Sequence, residues 1–274
     1  MKADRMRIRA GFEISYTCPA PTPMMMILST RPERLPDLVT PQILTVSPNV
    51  PLHEYRDEFG NICHRVLAPA GTSTYSADFV IEDSGRPDEV DLDAVQHPVQ
   101  DLPDEVLIYL LGSRYCETHN LVDLAWSLFG NTPLGWRRVQ AIVDYVHDRI
   151  TFGYEHARPS RTAHDAHCEQ RGVCRDFAHL AVTLCRCMNI PARYCTGYLG
   201  DIGIPPVDAP MDFSAWFEVF LSGRWYTFDA RHNTPRIGRI LQGYGRDATD
   251  VAISTTFGPN WLSGFKVICE EVEG

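Results

Sequence analysis

Apolar side chains at Ile8, Ala10, Phe12, Ile14 and Tyr16 alternate with other residues, which predicts a half-buried strand over 8–16. Shorter runs at 24–29, 43–47, 52–57, 62–68 and 72–81 predict further strands, separated by prolines such as Pro32, Pro36, Pro41, Pro48 and Pro51. Glu58-Phe59-Gly60-Asn61 reads as a hairpin turn, so residues 1–82 are expected to form an all-β module. Over 83–104 the composition turns to Asp, Glu, Pro and Gly with few apolar residues, the pattern of a linker. The period then changes to that of helices at 104–111, 121–129 and 134–150, the last with Val139, Ile142, Val143, Val146 and Ile150 on one stripe. Phe177, Leu180, Ala181, Leu184 and Met188 recur at three- and four-residue steps and predict a helix burying one face, with Cys174 in its first turn. Strands are expected at 192–199, 213–221 and 224–229, the last two joined at Ser222-Gly223, and a final one at 264–269; residues 236–257 are less legible. The expected fold class is α+β: an N-terminal β-sandwich-like module, then over 105–274 a core in which the Cys174 helix packs on an antiparallel sheet.

With 44% hydrophobic and 22% charged residues, a chain of 274 residues can build full cores. Its formal charge of −10, without a basic stripe, speaks against a nucleic-acid partner. The apolar run 24–28 is too short to cross a bilayer, and no signal peptide is read at the N-terminus, so no membrane partner is expected. Nine cysteines at scattered spacings do not form a disulfide framework; reduced thiols in the cytoplasm are expected.

Cys174 carries the chemistry to be considered first. Gly172 allows a sharp entry to the helix, and the free backbone N–H groups of the first turn favour a negative sulfur. At about 100° per residue Cys174 projects about 60° from Phe177, toward what the helix packs on, whereas His179 lies about 140° away and is expected to be structural. Cys185 and Cys187 read as small buried hydrophobes. His164, His167, Cys168 and Cys174 carry metal-donor atoms, but not at a usual paired-ligand spacing, so no metal or other cofactor is expected. A metal on Cys174 would also block its sulfur as a nucleophile.

Four blocks follow in order: 171–176 (Arg-Gly-Val-Cys-Arg-Asp), 189–198 (Asn-Ile-Pro-Ala-Arg-Tyr-Cys-Thr-Gly-Tyr), 215–219 (Ala-Trp-Phe-Glu-Val) and 223–229 (Gly-Arg-Trp-Tyr-Thr-Phe-Asp). Together they resemble the transglutaminase-like superfamily in its bacterial branch, and residues 1–82 resemble the β region that accompanies that core. The resemblance implies a papain-like arrangement of thiol, imidazole and carboxylate. It maps the thiol onto Cys174 and the carboxylate onto Asp229, but places Ser214 where the family usually has histidine. A serine hydroxyl cannot take a proton near neutral pH, and among the remaining histidines His232, three residues beyond Asp229, is the first candidate to stand in.

Trp216 and Trp225 are expected to fill the sheet face against the Cys174 helix, or to wall a substrate site. Glu218 is expected to pair with an arginine such as Arg193 and Asp176 to favour the helix start; Arg236, Arg239 and Arg246 either dock on an acidic surface or carboxylates or, as the plainer reading, form a solvated face. Three readings remain open: a thiol enzyme acting on amide bonds of peptides, proteins or small amides by acyl transfer or hydrolysis, a catalytically impaired relative that binds a peptide or protein, and a structural module stabilised by a metal on the cysteines and histidines near residue 168. The oligomeric state is not legible.

Overall fold

The computed structural model describes residues 5–273. Two four-stranded antiparallel sheets build the N-terminal part. Their strands are β1 (Met6–Cys18), β2 (Thr22–Met26), β3 (Thr45–Ser47), β4 (His53–Arg56), β5 (Ile62–Ala68) and β6 (Gly71–Asp83), joined by two strands from the far end of the chain. The alternation read from the sequence is borne out on β1: Ile8, Ala10, Phe12, Ile14 and Tyr16 face a core shared with Met24 and Met26 of β2, Val66 of β5 and Phe79 and Ile81 of β6.

Five helices follow: α1 (Asp104–Leu107), which continues into a 3-10 turn at Ile108–Leu110, α2 (Thr118–Phe129), α3 (Trp136–Arg149), α4 (Ala163–Glu169) and α5 (Cys174–Cys187). A short parallel pair, β7 (Thr151–Phe152) and β8 (Arg171–Gly172), brings the end of α3 beside the start of α5. The second module is centred on a sheet in the order β11-β10-β9-β12, where β9 is Ala192–Tyr198, β10 Ser214–Leu221, β11 Arg224–Phe228 and β12 Ile240–Gly245. The last strands, β13 (Ser254–Thr256) and β14 (Trp261–Val272), pair with β2 and β1. The end of the chain therefore belongs to the N-terminal sheets and not to the core sheet, although it was expected within the 105–274 module. Tyr198, Phe213 and Ile240 enter the N-terminal core, so the two parts share apolar packing.

From Asp176 to Cys187 every residue of α5 is buried, a fuller burial than the single face that its period predicts. Phe177, Leu180, Ala181 and Leu184 pack with Val139, Ile142, Val143 and Val146 of α3 and with Phe217, Val219 and Leu221 of β10. Ala178 meets Ile27 and Cys63 from the N-terminal sheets. Enclosure from three sides explains why its polar positions are buried as well. Residues 83–104 are tied down at several points: Asp88 exchanges hydrogen bonds with Arg236 and holds Arg239, and Asp91 accepts from the Tyr226 hydroxyl.

Candidate active site

Cys174 is the first residue of α5, and the chain is brought into that turn by a close approach at Gly172, where a Cβ would lie 2.6 Å from the Asp176 carboxylate. The open space lets Asp176 reach back to accept the Val173 N–H at 2.9 Å, capping the helix. The same carboxylate pairs with Arg161 at 3.0 Å, and Arg161 in turn holds Glu169 of α4 and the His156 carbonyl. Asp176 thus favours the helix start, as expected, and also anchors α4, an element that sequence periodicity did not reveal.

Cys174 is half-buried and packs against the cluster that holds Tyr194, Ala178 and Ala215. Burial pushes it up to about 11; the Arg231 guanidinium and the Ala215 N–H act the other way, and the carboxylates of Asp212 and Asp229 add to the rise. Burial thus works against the negative sulfur that the helix N-terminus favours. Desolvation outweighs the helix start, whose leading N–H is already taken by Asp176.

Asp229 lies just beyond β11. Burial would raise its carboxyl, but the Arg239 guanidinium and the His232 contacts more than offset this and hold it far below the usual carboxylate range. Oδ2 contacts His232 Nδ1 at 2.8 Å and accepts from Arg239 at 2.9 Å; Oδ1 accepts the backbone N–H groups of Arg231 and His232. The carboxylate thus fixes the imidazole by Nδ1 and leaves Nε2 for another partner. Arg239 is buried, bonds Asp88 at 3.0 Å, and lies 4.9 Å over the ring of Trp216. Arg236 is buried and bonds the Gly200 carbonyl. These two arginines are interior and do not form a solvated face; Arg239 follows the other reading and docks on carboxylates, those of Asp88 and Asp229, whose charge makes its burial tolerable.

Ser214 opens β10 and is buried, with its hydroxyl unpartnered, while Thr196 Oγ1 donates to its carbonyl. Strand alternation puts it on the face of Trp216 and Glu218, whereas Ala215, Phe217 and Val219 face α5. Trp216 and Trp225 were expected against the Cys174 helix; they occupy the opposite face. Trp216 lies over Gly197, where a Cβ would come within 3.0 Å of its ring, and Trp225 packs edge-on to Tyr109 and Phe220. Glu218 pairs with Arg193 as expected, at 2.5 Å.

His179 is wholly buried, stacked on Tyr115, and accepts the Ala248 N–H; burial lowers it to about 3, so it is a neutral structural residue. His164 Nε2 lies 3.7 Å from Cys168 Sγ, and His167 contacts the Tyr145 hydroxyl. Among the described residues no group of three or more His, Cys, Asp or Glu is placed to hold a metal ion. No helix among them is long and apolar enough to cross a membrane. A cavity of about 300 Å³ lined by Asp88, Trp136, Gln140, Phe228, Asp229 and Asn233 abuts the carboxylate. Arg231, Asp212 and Arg239 were not singled out as site residues by sequence reasoning. The available signal was their crowding around Asp229 and Ser214 in the chain.

Residues 125–230 match the family model of the transglutaminase-like superfamily core. The structure of a presumed cysteine protease from Cytophaga hutchinsonii superposes with a TM-score of 0.85 at 28% identity, covering 99% of this chain and 92% of that one. An uncharacterized protein of Mycobacterium leprae is 38% identical over 95 residues, 32% of either chain, so the match spans about a third of that relative. The periplasmic domain of TgpA from Pseudomonas aeruginosa gives a TM-score of 0.41 at 13% identity, covering 85% of this chain and 91% of that one. Residues 125–230, with the Cys174 helix and the strand leading to Asp229 inside them, belong to the transglutaminase-like superfamily.

Proposed function

We propose that the protein is a thiol enzyme acting on amide carbonyls of peptides, proteins or small amides, with Cys174 as nucleophile, His232 as base and Asp229 as the residue that orients it. The observation that carries this reading is the 2.8 Å contact between Asp229 Oδ2 and His232 Nδ1, beside a thiol whose charge that same carboxylate influences. The pairing supplies an imidazole where Ser214 cannot act. Because the resting sulfur is protonated, its proton leaves as the carbon–sulfur bond forms: His232 Nε2 takes it, then returns it to the departing amine. The acyl-thioester left on Cys174 is released by water or a second amine, whose proton passes to the same nitrogen and from there to the departing sulfur as the carbon–sulfur bond breaks, restoring the thiol and the neutral imidazole. All nine cysteines are free, which supports a reducing, cytoplasmic setting.

The test is turnover of glutamine-containing peptides, followed as ammonia release with and without an added primary amine. Cys174→Ala should abolish it, and His232→Gln should lower kcat by about 10²–10⁴-fold, the usual worth of a general base. Full activity in His232→Gln would remove the imidazole from the mechanism.

A second reading, a binding module without turnover, is favoured by the buried and unpartnered Ser214 hydroxyl at the family's histidine position. Ser214→His separates the two. On this second reading the wild type is inert and the variant gains amidase activity; on the first, the wild type is already active.

A further inference from the structure

On the sheet face turned away from α5, a cavity of about 410 Å³ opens where the two parts of the chain meet. Glu58 and Phe59 contribute from the β4–β5 turn, Glu105 and Tyr109 from α1 and the turn after it, and Arg193, Trp225 and Tyr244 from the core sheet. Such junctions are common places for ligand sites. Neither Cys174 nor Asp229 lines it.

Its walls are aromatic. The rings of Phe59 and Tyr109 are 6.3 Å apart, and Trp225 stands edge-on to Tyr109 at 5.3 Å. These walls already hold two cations: the Arg193 guanidinium lies 3.6 Å from the ring centre of Tyr244 and 4.1 Å from that of Trp225, and the Arg31 guanidinium, paired with Glu33 at 2.8 Å, lies 3.9 Å from the ring centre of Tyr244. The charge of Arg193 is answered by Glu218, its cross-strand neighbour on the same face of the sheet. Glu58 and Glu105 at the opening are different: among the described residues no basic group lies within ion-pair distance of either, and Arg246, the cation near Glu58, is paired with Asp250 at 2.9 Å. Tyr109 is 5% exposed, lines the cavity, and has no hydrogen-bond partner for its hydroxyl among the described residues. Burial pushes that hydroxyl up to about 12, so it stays neutral and can accept a hydrogen bond.

We infer that this cavity is a binding site for a small organic cation of the alkylammonium type, its apolar stem against Phe59, Tyr109 and Ile108 and its charge answered by Glu58, Glu105 and the Tyr109 hydroxyl. The carboxylates decide the sign of the ligand, because Arg193 and Arg31 are each paired with a glutamate of their own, Glu218 and Glu33, whereas Glu58 and Glu105 are in no ion pair among the described residues. The aromatic surface suits an alkyl stem, and the volume of about 410 Å³ admits a short amine with room to spare. This is a site for reversible binding, separate from the Cys174 chemistry and independent of whether that chemistry occurs.

The test is calorimetric titration of the full chain with n-butylammonium chloride and, separately, with 1-butanol, repeated on Cys174→Ala so that no covalent step contributes. Saturable binding of the amine near about 1 mM is expected, with the alcohol at least about tenfold weaker. Glu58→Gln combined with Glu105→Gln, two exposed positions, should weaken the amine about tenfold and leave the alcohol unchanged. No saturation by about 50 mM amine, equal binding of alcohol and amine, or an unchanged amine affinity in the double variant would each overturn the assignment.

Discussion

Desolvation of the Cys174 sulfur has a kinetic consequence that can be worked out before any substrate is known. With the thiol pushed up to about 11, the thiolate is about 0.03% of the total at pH 7.5, against about 10% for a free thiol of ordinary pKa near 8.5. Thiolates of higher pKa are better nucleophiles, and a Brønsted slope near 0.45 returns about tenfold over that difference. The net expectation is attack on a small disulfide reagent about 20–30-fold slower than by a free cysteine peptide, before any steric hindrance. The assay treats the protein with 2,2′-dithiodipyridine at pH 7.5 and follows Cys174 by peptide mass mapping, with exposed Cys168 as internal reference. Arg231→Gln, which removes the nearby charge that favours thiolate, should slow Cys174 further and leave Cys168 unchanged. A rate above that of the free peptide, with a rate-against-pH midpoint below about 8.5, would refute the reasoning that burial dominates at this position.

Two further expectations concern how the site is held. Asp176→Ala removes a cap worth about 1 kcal/mol and breaks a buried pair worth about 3–5 kcal/mol. Arg161 retains Glu169 and the His156 carbonyl, so the loss should fall near about 3 kcal/mol, read as a lowered urea midpoint; under about 1 kcal/mol would mean that Asp176 does not anchor α5. Asp229 is depressed by folding, so its stabilising contribution is complete above the unfolded carboxyl pKa of about 3.9 and is lost as pH falls below that toward the folded value. The urea midpoint should therefore drop between about pH 5 and pH 3, and Arg239→Met, which removes the main favourable charge on Asp229, should shrink that pH-dependent part.

Much of the fold was legible because local pattern and tertiary position agree. The alternation on β1 and the helical period from Phe177 report faces that are buried in the structure. α4 escaped notice because it has seven residues, and its strongest sign is the Thr162–Asp165 capping box and not an apolar stripe. β12 was obscured by Gly243 and Gly245 and by an irregular register against β9. The pairing of β14 with β1 joins residues about as far apart as the chain allows, and no local signal encodes it.

At the site, the positions of Cys174 and Asp229 were suggested by motif, but their surroundings were not. The sides taken by Trp216 and Trp225 were readable from strand alternation, since Ala215, Phe217 and Val219 form the apolar set. Arg239 looks like a surface residue until Asp88, more than a hundred positions earlier, is seen to meet it. The contact between Asp229 and His232 was open to inference because a three-residue separation lets a loop return the imidazole to the carboxylate.

The decisive measurement is the intact mass of the protein quenched during turnover of a glutamine peptide. An adduct of the peptide acyl group on Cys174, formed at wild-type rate only when His232 is present and absent from Cys174→Ala, is the expected outcome. Turnover that survives in Cys174→Ala, or an adduct that forms equally fast in His232→Gln, would contradict the thiol–imidazole–carboxylate assignment.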